Sequence, residues 1–138
     1  MSTPPRWQPL FDALAQMRDA WPKRGWSWDS RFDCVASSFT STIETEARAA
    51  AAKALPTVWT HTNISSGPPL LRELAESSGG VRAGQLILTS VAPGGYTAYG
   101  LWWPWGDGVS ISLRVGIVGV GAAREPSPSF RDLFHVTM

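Results

Sequence analysis

Between Val109 and Ile117 the chain carries an apolar side chain at every second position. Val109, Ile111, Leu113, Val115 and Ile117 alternate with Ser110, Ser112, Arg114 and Gly116. Period two with β-branched enrichment describes a strand covered on one face. A helix would spread the same residues around its circumference. This stretch sets the frame into which the rest of the chain must fit.

Upstream, Tyr96 to Trp103 reads as a second strand, rich in aromatics, and Gln85 to Val91 as a third. Pro104-Trp105-Gly106-Asp107-Gly108 and Ala92-Pro93-Gly94-Gly95 read as the turns between them, because proline lacks a ladder donor and glycine accepts positive φ. A five-residue loop sets Trp103 opposite Val109, Leu101 opposite Ile111, Tyr99 opposite Leu113 and Thr97 opposite Val115. A four-residue loop sets Leu86, Leu88 and Ser90 beside Leu101, Tyr99 and Thr97. The apolar residues of three strands then share one face. Trp102, Gly100, Ala98 and Tyr96 fall beside Ser110, Ser112, Arg114 and Gly116 on the other.

Helical spacing appears earlier in the chain. Leu10, Phe11, Leu14, Met17 and Trp21 recur on one side from Gln8 to about Ala20, closed by Pro22 and Gly25. Ser41 to Glu44 matches a capping box, followed by the strong helix former TEARAAAAKAL, with Ile43, Ala47, Ala50, Ala54 and Leu55 on a narrow face ended by Pro56. Pro68 or Pro69 opens a third helix with Leu70, Leu71, Leu74 and Ala75 inward and Gly79-Gly80 as its stop. Gly25 to Ser30 reads as a loop or short strand. Phe32 to Thr40 alternates as a strand without excluding a helix, and Thr57 to Ile64 reads as a strand. Ser129 to Phe134 reads as a single turn, and His135 to Thr137 as a short edge strand. The order predicts one α+β domain over residues 1–138. Its antiparallel or mixed sheet is built on the C-terminal meander (about 85–91, 96–103, 109–118), with two or three helices packed on it. Residues 1–6 and 120–128 read as loose, and the two early strands fit either edge of the meander.

At 138 residues the chain is long enough for one core without staples. A formal net charge of +1 lacks the basic excess that drives phosphate-backbone binding, so nucleic acid is not expected as a partner. One cysteine permits no intrachain disulfide and no structural zinc site. No apolar run is long enough to span a membrane, and MSTPPRWQPL does not resemble a signal peptide, so the expected location is cytoplasmic. The excess of arginine over lysine, with abundant Ala, Gly, Pro and Trp, suggests a GC-rich bacterial genome.

Candidate chemistry is thin. Cys34 with His61 or His135, and Asp29 or Asp33 behind, would make a thiol nucleophile and its base. Yet Cys34 lies in a half-apolar segment where a small buried thiol is the usual occupant. No histidine pair has metal-ligand spacing, Glu44 and Glu46 point to different sides of a helix, and the glycine clusters lack the strand–glycine–helix arrangement of a phosphate loop. No catalytic residue, metal or cofactor is therefore expected, and an enzyme is the lesser reading.

The aromatic cluster is the unusual feature. Tyr99 and Trp103 are expected to fill the core, while Trp105, at a turn beside Asp107, is expected to be exposed. Trp and Tyr dominate protein-contact anchors. The leading expectation is thus a non-catalytic protein-interaction domain, of the toxin-neutralising immunity or accessory type. It would touch another protein through the hairpin tip and sheet face: Trp102, Trp105, Asp107, Ser110, Ser112 and Arg114. The partner's identity is open, and a homo-oligomer is compatible with this reading. The alternative is a small-ligand binder on the Trp102/Ser110/Ser112/Arg114 face, with Arg114 pairing an anion and Trp102 stacking. A Cys34-dependent enzyme stands third.

Overall fold

The computed structural model describes residues 8–22, 25–29, 34–67, 69–77, 79–90, 96–119 and 133–134. In chain order the elements are α1 (Gln8–Ala20), β1 (Ser27–Asp29), β2 (Cys34–Thr40), α2 (Glu44–Ala51), β3 (Thr57–Trp59), α3 (Pro69–Ser77), β4 (Leu86–Thr89), β5 (Tyr96–Pro104) and β6 (Ser110–Gly119). The six strands form one sheet in the order β1-β2-β6-β5-β4-β3, and every pairing is antiparallel. The expected α+β fold is the one observed, with the β4–β5–β6 meander at its centre. The two early strands take opposite flanks: β2 pairs with β6, and β3 pairs with β4.

Alternation along β6 has the predicted consequence. Ile111, Leu113 and Val115 are buried on one face, with Leu113 fully enclosed. That face packs against α1 through Leu10, Phe11, Leu14 and Met17, and against α2 and the turn after it through Ala47, Ala50, Ala51, Ala54 and Leu55. The small alanines let α2 approach the strands closely. Gly100 extends the same logic, since a Cβ there would sit 2.9 Å from the methyls of both Leu55 and Leu113. Trp21, from the end of α1, donates its indole N–H to the buried Ser37 hydroxyl at 3.0 Å, which satisfies two polar groups inside this core.

The opposite face carries a second, smaller core of Leu71 and Ala75 from α3 with Ile87, Tyr99 and Leu101, flanked by Trp59, Ile64, Val81 and Trp103. Helices therefore cover both faces, α1 and α2 on one and α3 on part of the other.

The register of β5 corrects the sequence expectation. Trp103 lies opposite Ser112, Leu101 opposite Arg114, Tyr99 opposite Gly116 and Thr97 opposite Val118. Pro104 is the cause. It stays in the strand, opposite Ile111, and the hairpin closes one residue later, where the Trp105 N–H donates to the Ser110 carbonyl at 2.9 Å. In an antiparallel pair, hydrogen-bonded and non-hydrogen-bonded partners alternate. Opposite pairs on either side of 105:110 need no bond at 104, so the missing N–H of Pro104 leaves no gap in this ladder. The faces of β5 are exchanged as a result. Ala98, Gly100 and Trp102 join Leu113 and Val115, whereas Tyr99, Leu101 and Trp103 share a face with Ser112, Arg114 and Gly116. Tyr99 lies over Gly116, where a Cβ would come within 2.5 Å of the tyrosine hydroxyl. The β4 register shifts by one, with Leu86 opposite Trp102 and Leu88 opposite Gly100.

Two elements are shorter than the sequence suggested. Ser41 does not cap α2: residues Ser41–Ile43 form a 3-10 turn, Ile43 takes the cap position without a side-chain bond, and the Ser41 N–H donates to Val109 O at 2.7 Å. Helix α2 ends at Ala51 and passes into tighter bonds such as Lys53 N–H to Ala50 O. Strand β3 stops at Trp59 because the Asn63 carboxamide oxygen accepts the Thr60 N–H at 2.7 Å and the Thr60 hydroxyl accepts the Thr62 N–H at 3.3 Å. Threonine and asparagine thereby offer the backbone a turn in place of a ladder. The segment 34–40 is a strand and Pro69 opens α3. The expected loose ends 1–6 and 120–128, the strand at 135–137, Ser129, Phe32, Asp33 and His135 lie outside the described residues.

Candidate functional site

The face that carries Ser112 and Arg114 is only partly roofed by α3. Where the helix ends, a cleft of about 290 Å³ opens between the β5–β6 hairpin and the connection from α3 to β4. Trp103, Trp105 and Arg114 line it from the sheet, and Gly79, Gly80, Arg82 and Gln85 from the connection.

Two turns build the connecting wall. At the end of α3 the Gly80 N–H donates to Ala75 O at 2.7 Å and the Gly79 N–H to Glu76 O at 3.1 Å. Gly79 sits at φ 90, so this is a Schellman stop, and the last carbonyls of α3 are satisfied there. Then the Gln85 N–H donates to Arg82 O at 3.0 Å, while the Arg82 N–H donates to the Gln85 side-chain oxygen at 2.8 Å. Gly84 at φ 89 makes that turn tight. Arg82 is held by its backbone, and its guanidinium has no hydrogen-bond or ion-pair partner among the described residues.

The sheet wall is fixed differently. The Trp105 indole N–H donates to the Ser112 hydroxyl at 3.2 Å, which folds the ring toward the cleft while the residue remains 50% exposed. Ser112 itself is buried. The Arg114 Nε donates to Asp29 Oδ2 at 3.2 Å, an ion pair reaching from β6 across β2 to β1. Both side chains are largely covered, 23% and 14% exposed, so the pair is less screened than a surface one. It fixes the direction of the guanidinium. Arg82 and Arg114 thus both line the cleft, the second of them paired with Asp29.

Each sequence-predicted site residue can now be placed. Trp105 and Arg114 line the cleft, and the buried Ser112 accepts the Trp105 indole N–H. Asp107 and Ser110 form the hairpin end instead: Asp107 accepts the Val109 N–H at 2.9 Å, the Ser110 N–H at 2.7 Å and the Ser110 hydroxyl at 2.6 Å. Those bonds, the Ser110 hydroxyl first, hold the Asp107 carboxyl down to about 2. Trp102 does not belong to this face. It is 1% exposed in the opposite core, edge-on to Phe39 at 5.4 Å and under the Arg48 guanidinium at 5.3 Å. The combined Trp102/Ser110/Ser112/Arg114 face therefore does not exist, because the β5 register puts Trp102 behind the sheet.

Arg82 and Gln85 are residues the sequence did not point to, while Trp103, Asp29 and the glycine pair were read in other roles, as core, as support for a thiol dyad and as a helix stop. The Gly79-Gly80 stop was legible, but only the corrected register brings Trp103 beside Arg114. The thiol dyad with His61 is overturned. Cys34 is fully buried on β2, His61 is exposed just beyond β3, and four strand spacings separate those strands, roughly 19 Å. Among the described residues no three His, Cys, Asp or Glu side chains are grouped to hold a metal, and no helix is long and apolar enough to cross a membrane. No family model matches the chain, and no curated protein or solved structure matches it.

Proposed function

We propose that this chain is a non-catalytic recognition domain that contacts another protein through the end of the β5–β6 hairpin and the adjoining cleft. The observation that carries this reading is Trp105: half its surface is exposed, yet its backbone and its indole are both hydrogen-bonded. A large aromatic held in place before contact loses little freedom on binding, which is what makes such residues anchors. An immunity protein or an accessory subunit would use a surface of this kind.

A photo-crosslinking amino acid at position 105, expressed in the cells that make the chain, tests the reading. A discrete protein adduct is expected from position 105 and not from Val58, an exposed residue on the far edge strand. No adduct, or the same one from both positions, counts against it. A second reading, a small anionic ligand in the cleft, is favoured by the concave shape and the two arginines.

A further inference from the structure

We infer that the C-terminal segment is a detachable strap: Leu133 and Phe134 occupy a socket built by α1 and Trp26, and leave it without the sheet unfolding. Phe134 is 2% exposed and belongs to the α1/α2 core, so the socket lies behind the sheet from the cleft. Two contacts across the chain define the seat. The Arg18 guanidinium donates through Nη1 to Leu133 O at 2.6 Å, and the Phe134 ring stands edge-on to Trp26 with centroids 4.9 Å apart. A charged donor to a carbonyl and an edge-to-face ring pair are both directional, so together they fix one position for the segment.

The socket is held by groups other than its occupant. Arg18 Nε and Nη2 both donate to Asp19 Oδ1, at 3.1 and 3.0 Å, which orients the guanidinium and leaves Nη1 for the strap carbonyl. Trp26 leans on Trp21 with ring centroids 5.0 Å apart. Trp21 is pinned in turn by its indole N–H to Ser37 and by its edge contact with Phe39. These contacts run from α1 to β2 and do not pass through the strap. The strap carries no pairing of the sheet either, since β6, the last strand among the described residues, pairs with β2 and β5. Lifting the segment out therefore uncovers Trp26 and the Arg18 guanidinium while the sheet keeps its ladders. Chain ends that no ladder ties down are the parts that open locally, and a seat held in place beforehand costs little to refill.

The test titrates the full chain carrying Phe134→Ala, whose socket has lost its ring, with a synthetic peptide of residues 129–138. The readout is the Trp26 indole N–H resonance. The natural peptide is expected to shift it and to bind at least about tenfold more tightly than the same peptide with Phe134→Ala. Its binding to the unaltered chain should be at least about tenfold weaker, because the tethered copy competes at an effective concentration on the order of millimolar. Arg18→Gln in the acceptor chain should weaken the natural peptide about threefold or more. Equal binding of the two peptides, equal binding to altered and unaltered chains, or an unmoved Trp26 overturns the inference. So does an unfolded Phe134→Ala chain, because a strap that leaves by itself leaves a folded sheet behind. Amide exchange of the unaltered chain gives an independent reading. Leu133 and Phe134 are expected to open at least about tenfold more often than Leu113 and Val115 of β6, and with a weaker dependence on denaturant. Opening of all four at one free energy means that the segment leaves only with the sheet, and it overturns the inference as well.

Discussion

Asp107 shows how one exposed carboxylate can define a hairpin. It accepts both backbone and side-chain bonds from Ser110 and a backbone bond from Val109, and all three favour its charged form. Its pKa falls from 3.8 to about 2 in the folded chain. A lowered folded pKa means stabilisation that is fully present above 3.8 and lost as pH falls through about 2. Asp107→Asn is therefore expected to lower the melting temperature at pH 7, with the gap to the native chain narrowing steadily below pH 4. Thermal melts across that range check it, and a gap independent of pH would contradict the assignment. The sequence placed Asp107 at a turn tip correctly. It could not show that the side chain is committed to its own turn, because hydrogen bonds within a turn leave no trace in periodicity.

Among the elements, α3 is defined at both ends by residues legible in advance, Pro69 at the start and Gly79 just past the end. Gly79 holds φ 90 with open space where a Cβ would stand, so Gly79→Ala has a backbone cost and no clash. A loss of about 1–2 kcal/mol in denaturant unfolding is expected from the left-handed conformation alone. The helical faces and the β6 alternation were legible because each segment has one apolar side and one polar side. Strand β5 was not. Leu101 and Trp103 stand on one side and Trp102 on the other, so bulk gave no direction, and Pro104 looked like the end of the strand. The cleft depended on that register, and so it was hidden with it.

At the scale of the whole molecule the sheet separates two cores of unequal size. Among the described residues the α1/α2 side draws on both helices and on β2, β4, β5 and β6, whereas the α3 side shows five buried residues. Local opening follows buried apolar support, so the α3 layer should be the first to detach. Native-state hydrogen exchange is expected to show the amides of α3 opening at a lower free energy than those of the β5–β6 ladder. Equal protection would mean that the two layers unfold together. The cleft lies at the margin of this weaker layer, since Gly79 and Gly80 end α3 and also line the cleft.

Strand β5 has no idle side. One set of its residues belongs to the helix pair behind the sheet, the other to the single helix and cleft in front. Dropping the codon for Trp103, with the hairpin end kept, would send the indole of Trp102 out toward the arginines and bring Leu101 into the space it left. The connection from 81 to 84 pairs with no strand, so a change of length there would remake a turn without turning over the face of any strand. Lineages descending from this gene thus have room to vary the rim of the cleft in length, but the ribbon that carries its tryptophans must keep its count.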